Sequence, residues 1–388
     1  MLESKVRKVL YISGSRADYG PARRVLKAIR AQTQFDLSLL VTSMHLDPAH
    51  GETWQEIADD NITISERIYG RITGDSLEVM AASVGLYLYG MSLAMARIRP
   101  DIVLVLGDRG EQLAGAMAAS FQNITVVHLC GGSRSGSIDD SIRHAITKFA
   151  HYHLPALEEH AHRIIQMGEE PSTVEVVGLP GGDIRPDVVF SREHVCREYH
   201  LPTDRLYLLV IQHPVTHSQK DAAEQITETL EAVASLEYPV LLANPNDDAG
   251  GQRILAKMQE YVASYPQLHI LKPPRSRELF ASIMAHAGAL VGNSSSGIVE
   301  AMSVHLPVVN IGDRQRGREK YACLMNAPYE RKAIKQAILT ALNDQEYRSR
   351  LAKFESPFIR NTEQAVVKFL LNLDLSAASR PKKFFNIA

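Results

Sequence analysis

Cysteine is scarce in this chain: Cys130, Cys196 and Cys323 are the only three in 388 residues, far apart and without a C-x-x-C pair. An odd, dispersed set argues against a disulfide scaffold or a thiolate zinc cluster and fits a reducing cytoplasm. Histidine occurs fifteen times, yet no H-E-x-x-H or similar ligand spacing is present, so no metal is expected. An excess of one charge is missing too. Lys and Arg number 42 against 44 Asp and Glu, and a net charge of −2 gives no reason to expect a nucleic-acid partner. No apolar run is read as approaching the ~18 to 20 residues of a membrane helix, and no signal peptide is read before Lys5-Val6-Arg7-Lys8, so no membrane partner is expected. Internal repeats, low-complexity segments and a G-x-G-x-x-G dinucleotide fingerprint are also absent.

What is present has the composition of a soluble globular enzyme, 45% hydrophobic and 22% charged. The length exceeds one compact core and predicts two domains of roughly 150 to 200 residues. Short apolar strands alternate with helices from the start. Strands are expected at Val9 to Ile12, Phe35 to Thr42, Ile102 to Leu106 and Thr125 to Leu129. Helices are expected at Ala22 to Gln32, Leu77 to Ile98, Glu111 to Gln122 and Ile142 to His153. All-apolar strands separated by helices imply a parallel sheet covered on both faces.

Gly178 to Asp187, rich in Gly and Pro, reads as a linker. A second series follows, with strands at Tyr207 to Ile211, Val240 to Ala243, Leu268 to Leu271, Ala289 to Val291 and Pro307 to Ile311. Its helices are expected at Asp221 to Leu236, Ser276 to His286 and from about Ile298. The fold class is therefore α/β, with two doubly wound Rossmann-like domains facing a cleft, the GT-B arrangement. The expected division is 1–182 for the first domain, 183–365 for the second, and 366–388 for a helix and tail returning to the first. Both rows of strand C-termini would open onto the cleft, where ligands of such sheets bind.

The richest stretch runs from Gly292 to Glu319. Its Gly/Ser turn (Ser294, Ser295) offers backbone N–H groups to a phosphate at a helix start. Glu300, read in the first helical turn, could accept a ribose hydroxyl. Arg314, Arg316 and Arg318 then follow the next strand, and guanidinium forks match phosphate oxygens. Arg16, in the turn after the first strand, could reach the same phosphate or be an ordinary surface arginine. Asp108, beside Arg109 at another strand end, suits acid or base work, and equally suits an N-cap.

The loop from His128 to His144 holds Cys130, Ser133, Asp139, Asp140 and Arg143. Asp139 and Arg143, at i and i+4, could contact a ligand or simply pair with each other. His213 ends a second-domain strand and can donate to a phosphate or move a proton near neutral pH. Asn246 lies in a polar turn that could touch ribose. Arg275 and Phe280 could frame a base, although Phe280 has the spacing of a core residue.

Together these segments resemble the sugar-nucleotide 2-epimerase family, in its hydrolysing, sialic acid branch. The resemblance runs over nearly the whole chain. It is carried by Gly14-Ser15-Arg16-Ala17-Asp18-Tyr19-Gly20, Thr42-Ser43-Met44-His45-Leu46, Gly107-Asp108-Arg109-Gly110-Glu111 and Ile138-Asp139-Asp140-Ser141-Ile142-Arg143-His144. It continues through His213-Pro214-Val215-Thr216, Pro245-Asn246-Asp247-Asp248-Ala249-Gly250, Gly292-Asn293-Ser294-Ser295-Ser296-Gly297, Gly312-Asp313-Arg314-Gln315 and the tail Lys382-Lys383-Phe384-Phe385.

The resemblance implies a GT-B fold that binds UDP mainly in the second domain, and a homodimer or homotetramer. Ser294, Ser295 and Arg314 would hold the diphosphate, Glu300 the ribose, and Arg275 and Phe280 would lie near uracil. Arg16, His45, Arg109, Cys130, Ser133, Arg143 and Asn246 would complete the substrate site. The implied reaction takes UDP-N-acetylglucosamine to N-acetylmannosamine and UDP through a glycal, without metal or redox cofactor. Asp108 and Asp139 would act as acid and base, with His213 at the phosphate. One departure stands out. The family usually carries glutamate in the loop after His128, as H-I-E-G-G-E or H-I-x-G-G-E, and here Cys130 and Ser133 take those places. Three readings stay open: Asp108 and Asp139 suffice, the sugar or its UDP or GDP carrier differs, or the chain only hydrolyses the C1–O bond.

Overall fold

The structure, a computed structural model, describes residues 6–215, 222–319, 321, 323–376 and 382–387. The segment ahead of Val6, and Thr216 and Asp221 of the expected second-domain motifs, lie outside the described residues.

In the first domain the strands are β1 (Arg7–Ser13), β2 (Phe35–Thr42), β3 (Thr63–Ile68), β4 (Ile102–Leu106), β5 (Thr125–Leu129) and β6 (Tyr152–Leu154). They pair in parallel in the order β3-β2-β1-β4-β5-β6. The second domain repeats the plan with β7 (Leu208–Ile211), β8 (Val240–Ala243), β9 (Leu268–Leu271), β10 (Ala289–Gly292), β11 (Val308–Ile311) and β12 (Leu324–Ala327). Their order is β12-β11-β10-β7-β8-β9, again all parallel. In each sheet the chain winds one way from a central strand and then the other, and the cleft opens at that reversal. The central strands are buried runs dominated by Val, Leu and Ile, with only Leu106 at the end of β4 half-buried, as sheets covered on both faces require.

Three strands escape the sequence reading for physical reasons. β3 and β12 are edge strands, and β3 alternates exposed and half-buried residues instead of forming an apolar run. β6 has only three residues and falls inside the helix expected to reach His153; that helix ends at Phe149. The helix expected near Ile298 is a single turn, Ser296–Val299, continued by a 3-10 turn Ala301–Val304.

The expectation of no long apolar run needs correcting at Leu77–Ile98. This 22-residue helix is long and apolar enough to cross a membrane by length and composition, because its Gly, Ser and Tyr residues break the run without adding charge. Here it flanks the first sheet. Tyr87, Met91, Ala94 and Met95 are buried with Leu10, Ile12 and Val103, while Leu86, Tyr89 and Leu93 face outward.

The chain returns to the first domain through the helix Thr362–Asn372, which starts ahead of the boundary expected at 365/366. Val366, Val367 and Leu370 join the core under β1 and β2. The tail then reaches the helix Ile138–Phe149. Lys382 Nζ donates to the carbonyls of Thr147 and Lys148 at 3.0 Å and of Ala150 at 2.6 Å. A cation on those last carbonyls suits the negative end of the helix dipole.

Candidate active site

Most loops that line the cleft leave the C-terminal ends of strands, with Leu179 and Pro180 of the linker and Phe358 added, and the two domains enclose a cavity of about 440 Å³ there. Gly292 explains why the Ser turn starts where it does. Its φ is +140°, and a Cβ would lie 2.1 Å from the Ile211 carbonyl of neighbouring β7. Asn293 then clamps the adjacent histidine, accepting from the His213 N–H at 2.7 Å and donating to the His213 carbonyl at 2.9 Å. Ser294, Ser295, His213, Arg314 and Arg318 all face the cavity from the second domain, and Asp108, Arg109, Cys130, Ser133, Asp139 and Arg143 from the first. Arg16, Asn246, Phe280 and Glu300 also line it.

The domains are latched over this space. Arg109 pairs with Asp248 at 2.8 Å, Arg71 spans Asp47 and Asp247, and Arg23 joins Glu278 to Asp60. The Gly136 N–H donates to the Arg314 carbonyl at 2.9 Å, which lays the first domain's Gly/Ser loop on the second domain's arginine loop.

The two candidate acid/base residues sit in opposite electrostatic settings. Asp108 accepts from Arg143 Nε at 3.1 Å and from Arg143 Nη2. Burial opposes its charge, but Arg143, Arg318 and Arg109 outweigh burial and hold the carboxyl below its ordinary range. For Asp139, burial and the nearby Asp108 charge push the carboxyl up, against the pull of Arg314 Nη2 at 3.0 Å. Environments that drive two carboxyls apart are what an acid–base pair requires. The expected pairing of Asp139 with Arg143 does not occur: Arg143 binds Asp108 and Asp140, and Asp139 binds Arg314. Arg143 is 1% exposed and also donates to the Ser133 carbonyl at 2.9 Å, so it reaches the cavity chiefly through Asp108.

His213 differs from its expectation in protonation. Burial and the Arg314 charge lower its pKa to about 3, so it is neutral near pH 7 and does not exchange protons there. Its Nδ1 accepts from the Asn246 N–H at 3.1 Å, which leaves Nε2 as the protonated nitrogen and a fixed donor.

His45 and Arg275 do not line the cavity. His45 is fully buried, with Nε2 2.9 Å from Ser13 Oγ and Nδ1 2.6 Å from Thr53 Oγ1. It braces the turn carrying Arg16. The Arg275 side chain is 88% exposed, 4.0 Å from Glu198. Arg277, which sequence reasoning missed, faces the cavity instead. It donates to Glu300 and, at 3.0 Å, to the Gly181 carbonyl of the interdomain linker. Glu300 follows the one-turn helix instead of opening a longer one, and it already accepts from Arg277. Only the tertiary fold distinguishes Arg275 from Arg277, since both are arginines flanking Ser276. Arg318 Nε is buried without a hydrogen-bond partner among the described residues, the condition of a cation awaiting an anion. Among those residues no group of three or more His, Cys, Asp or Glu is placed to hold a metal ion.

Cys130 adopts φ +65° and faces the cavity beside Asp108. Burial and the Asp108 charge push its thiol up to about 12. A protonated thiol is neither base nor nucleophile. Cys130→Ala should therefore keep turnover within about threefold, since most activity losses from acid–base groups are of order a hundredfold or more. Steady-state kinetics check this, and inactivation of the variant would return the thiol to the chemistry.

The chain matches the UDP-N-acetylglucosamine 2-epimerase family over residues 27–371. It is 39% identical over 339 residues to a UDP-N,N'-diacetylbacillosamine 2-epimerase (hydrolyzing) of Legionella pneumophila, covering 87% of this chain and 89% of that one. It is 33% identical over 352 residues to a UDP-N-acetylglucosamine 2-epimerase of Neisseria meningitidis, covering 90% of each. In fold it resembles the crystal structure of a UDP-GlcNAc 2-epimerase from Neisseria meningitidis bound to UDP-GlcNAc, with a TM-score of 0.80, 15% identity, and coverage of 94% and 100%. The fold and cleft define a two-domain GT-B protein. Its place within that class is plain: the chain belongs to the UDP-N-acetylglucosamine 2-epimerase family.

Proposed function

We propose that this chain is a hydrolysing 2-epimerase of a UDP-linked 2-acetamido sugar. The observation that carries the reading is the pair of carboxyls with opposed titration, Asp108 and Asp139, facing the cationic wall of Arg314, Arg318 and His213. The names of relatives support it: a hydrolysing 2-epimerase in Legionella pneumophila and a polysialic acid biosynthesis protein P7 in Escherichia coli, 32% identical over 386 residues.

In the proposed sequence ionised Asp108 accepts the C2 proton. The C2–H electron pair becomes the C1=C2 bond of a glycal, and the C1–O bond breaks with its electrons on UDP. Arg314, Arg318 and the His213 Nε2–H stabilise the charge arriving on the diphosphate. Water then adds its oxygen to C1 and releases its surplus proton to solvent, and protonated Asp139 supplies the proton to the opposite face of C2. Asp108 passes its proton to solvent and Asp139 regains one, so the sum is nucleotide sugar plus water giving UDP and the 2-epimeric free sugar.

Turnover in D₂O followed by proton NMR tests the reading. Release of UDP with a free sugar inverted at C2 and deuterated there is expected; an undeuterated, uninverted sugar would show plain hydrolysis of the C1–O bond. The pH dependence is expected to be bell-shaped. Activity rises as Asp108 ionises, below the ordinary carboxylate range, and falls as Asp139 loses its proton, above that range. A profile with no alkaline limb up to about pH 9 would remove Asp139 as the acid, and one with no acid limb down to about pH 2 would remove Asp108 as the base.

A further inference from the structure

The turn after β8, residues 244–250, touches both halves of the site and is gripped from the first domain. The Asn246 N–H donates to His213 Nδ1 at 3.1 Å, and Asp248 accepts from Arg109 at 2.8 Å, next to Asp108. Between them stands Asp247, which reaches across to the first domain. Arg71, in the loop after β3, donates to both its oxygens, from Nε at 2.6 Å and Nη2 at 3.0 Å. His50, in the loop after β2, places Nε2 3.0 Å from Asp247 Oδ1 and Nδ1 3.2 Å from Asp47 Oδ2. Asp75 adds a further grip by accepting from the Gly250 N–H at 2.7 Å.

Only the imidazolium carries a proton on both ring nitrogens. With a carboxylate oxygen against each nitrogen, a neutral His50 would turn a lone pair on one of them. Charge balance agrees. Among the described residues the charged groups facing the ring are Asp47 of its own turn, Asp247 of the second-domain turn, and Arg71, which pairs with both. Pro273, which lies against neighbouring Gly51 from the loop after β9, adds no charge. Two carboxylates and one guanidinium leave a single negative charge, and a cationic His50 cancels it.

Burial opposes that cation, but Asp247 and Asp47 outweigh burial and raise the His50 pKa above its ordinary value. Burial likewise opposes the Asp247 charge, and His50 and Arg71 hold that carboxyl down at about 2. The two side chains are 19% and 16% exposed, so water screens the pair only in part.

We propose that His50 is a positioning residue: as a cation between Asp47 and Asp247 it clasps the two domains together and, through the turn bearing Asp247, sets His213 and Arg109 for the nucleotide. Its effect on turnover rests on the hydrolysing 2-epimerase reading, whereas its effect on closure and UDP binding does not. Because closure raises the His50 pKa, the clasp is fully engaged below the ordinary histidine value of about 6.5 and is lost as pH rises through the raised one.

NMR of histidine-labelled protein tests the charge directly, with the His50 signal identified by its loss in His50→Gln. It should titrate above about pH 6.5 in the wild type and lower in Asp247→Asn, which keeps the side chain's shape without its charge. Calorimetric UDP affinity of His50→Gln is set against wild type at each pH, so that ionisation of UDP itself cancels. The variant should bind about three- to tenfold more weakly near pH 6 and within about twofold of wild type near pH 9. The ratio of kcat/KM should follow, while kcat changes less than about twofold. A ratio that does not vary with pH makes His50 a structural or ligand-contacting residue and overturns the clasp. So does a His50 titration at or below about pH 6.5 that is indifferent to Asp247→Asn. Converging UDP affinities in a protein that releases no UDP from UDP-linked 2-acetamido sugars sink the hydrolytic reading and leave the clasp standing.

Discussion

Asp108→Asn is expected to lower kcat by about 10²- to 10⁴-fold, the usual contribution of a positioned acid or base, while UDP affinity stays within a few fold. The amide cannot accept the C2 proton, yet it keeps the shape of the side chain. Arg143, which loses its charge partner, retains the Ser133 carbonyl and Asp140, so the loop should hold. Stopped turnover with intact calorimetric UDP binding is the required pair of results. A variant with wild-type rate would leave Asp108 as the ion-pair partner of Arg143 alone, since the helix Gly110–Phe121 is N-capped at Arg109 and not by Asp108. Loss of UDP binding in proportion to rate would make it a binding or structural residue instead.

Arg314→Ala should weaken UDP binding by about 1.5–3 kcal/mol, the span for a hydrogen bond to a charged group. That corresponds to about 10- to 100-fold in Kd. The same change removes the partner of Asp139 and leaves burial and the Asp108 charge to act on it unopposed by Arg314, so its carboxyl should rise further. By sign, a raised acid keeps its proton to higher pH, and the alkaline limb of the rate profile should move upward. Calorimetry and the pH profile check the two consequences separately. Unchanged UDP affinity would remove Arg314 from the phosphate site.

Much of this architecture is legible in the sequence because parallel strands buried on both faces must be short aliphatic runs, and loops after them must carry the polar residues. The turns bearing Arg16, Asp108, Cys130, His213, Ser294 and Arg314 are therefore found from order alone, and the structure brings them to one cavity. The edge strand Thr63–Ile68 is not legible, since an edge needs no continuous apolar stretch. His45 shows the limit for a site residue. Its motif marks it as belonging with the others, but a histidine in a turn can face either ligand or core, and here Ser13 and Thr53 hold it inside.

Sequence by itself determined the two-domain α/β plan, the loops that meet at the cleft and the family, because periodicity and residue order survive without coordinates. Only the tertiary structure decided the chemistry of individual groups. Whether Arg143 would pair with Asp139 or Asp108, whether Arg275 or Arg277 would enter the cavity, and whether Cys130 could ionise all depend on distances between segments remote in the chain. Electrostatic energy falls with separation and rises with burial, and neither quantity is written in the order of residues.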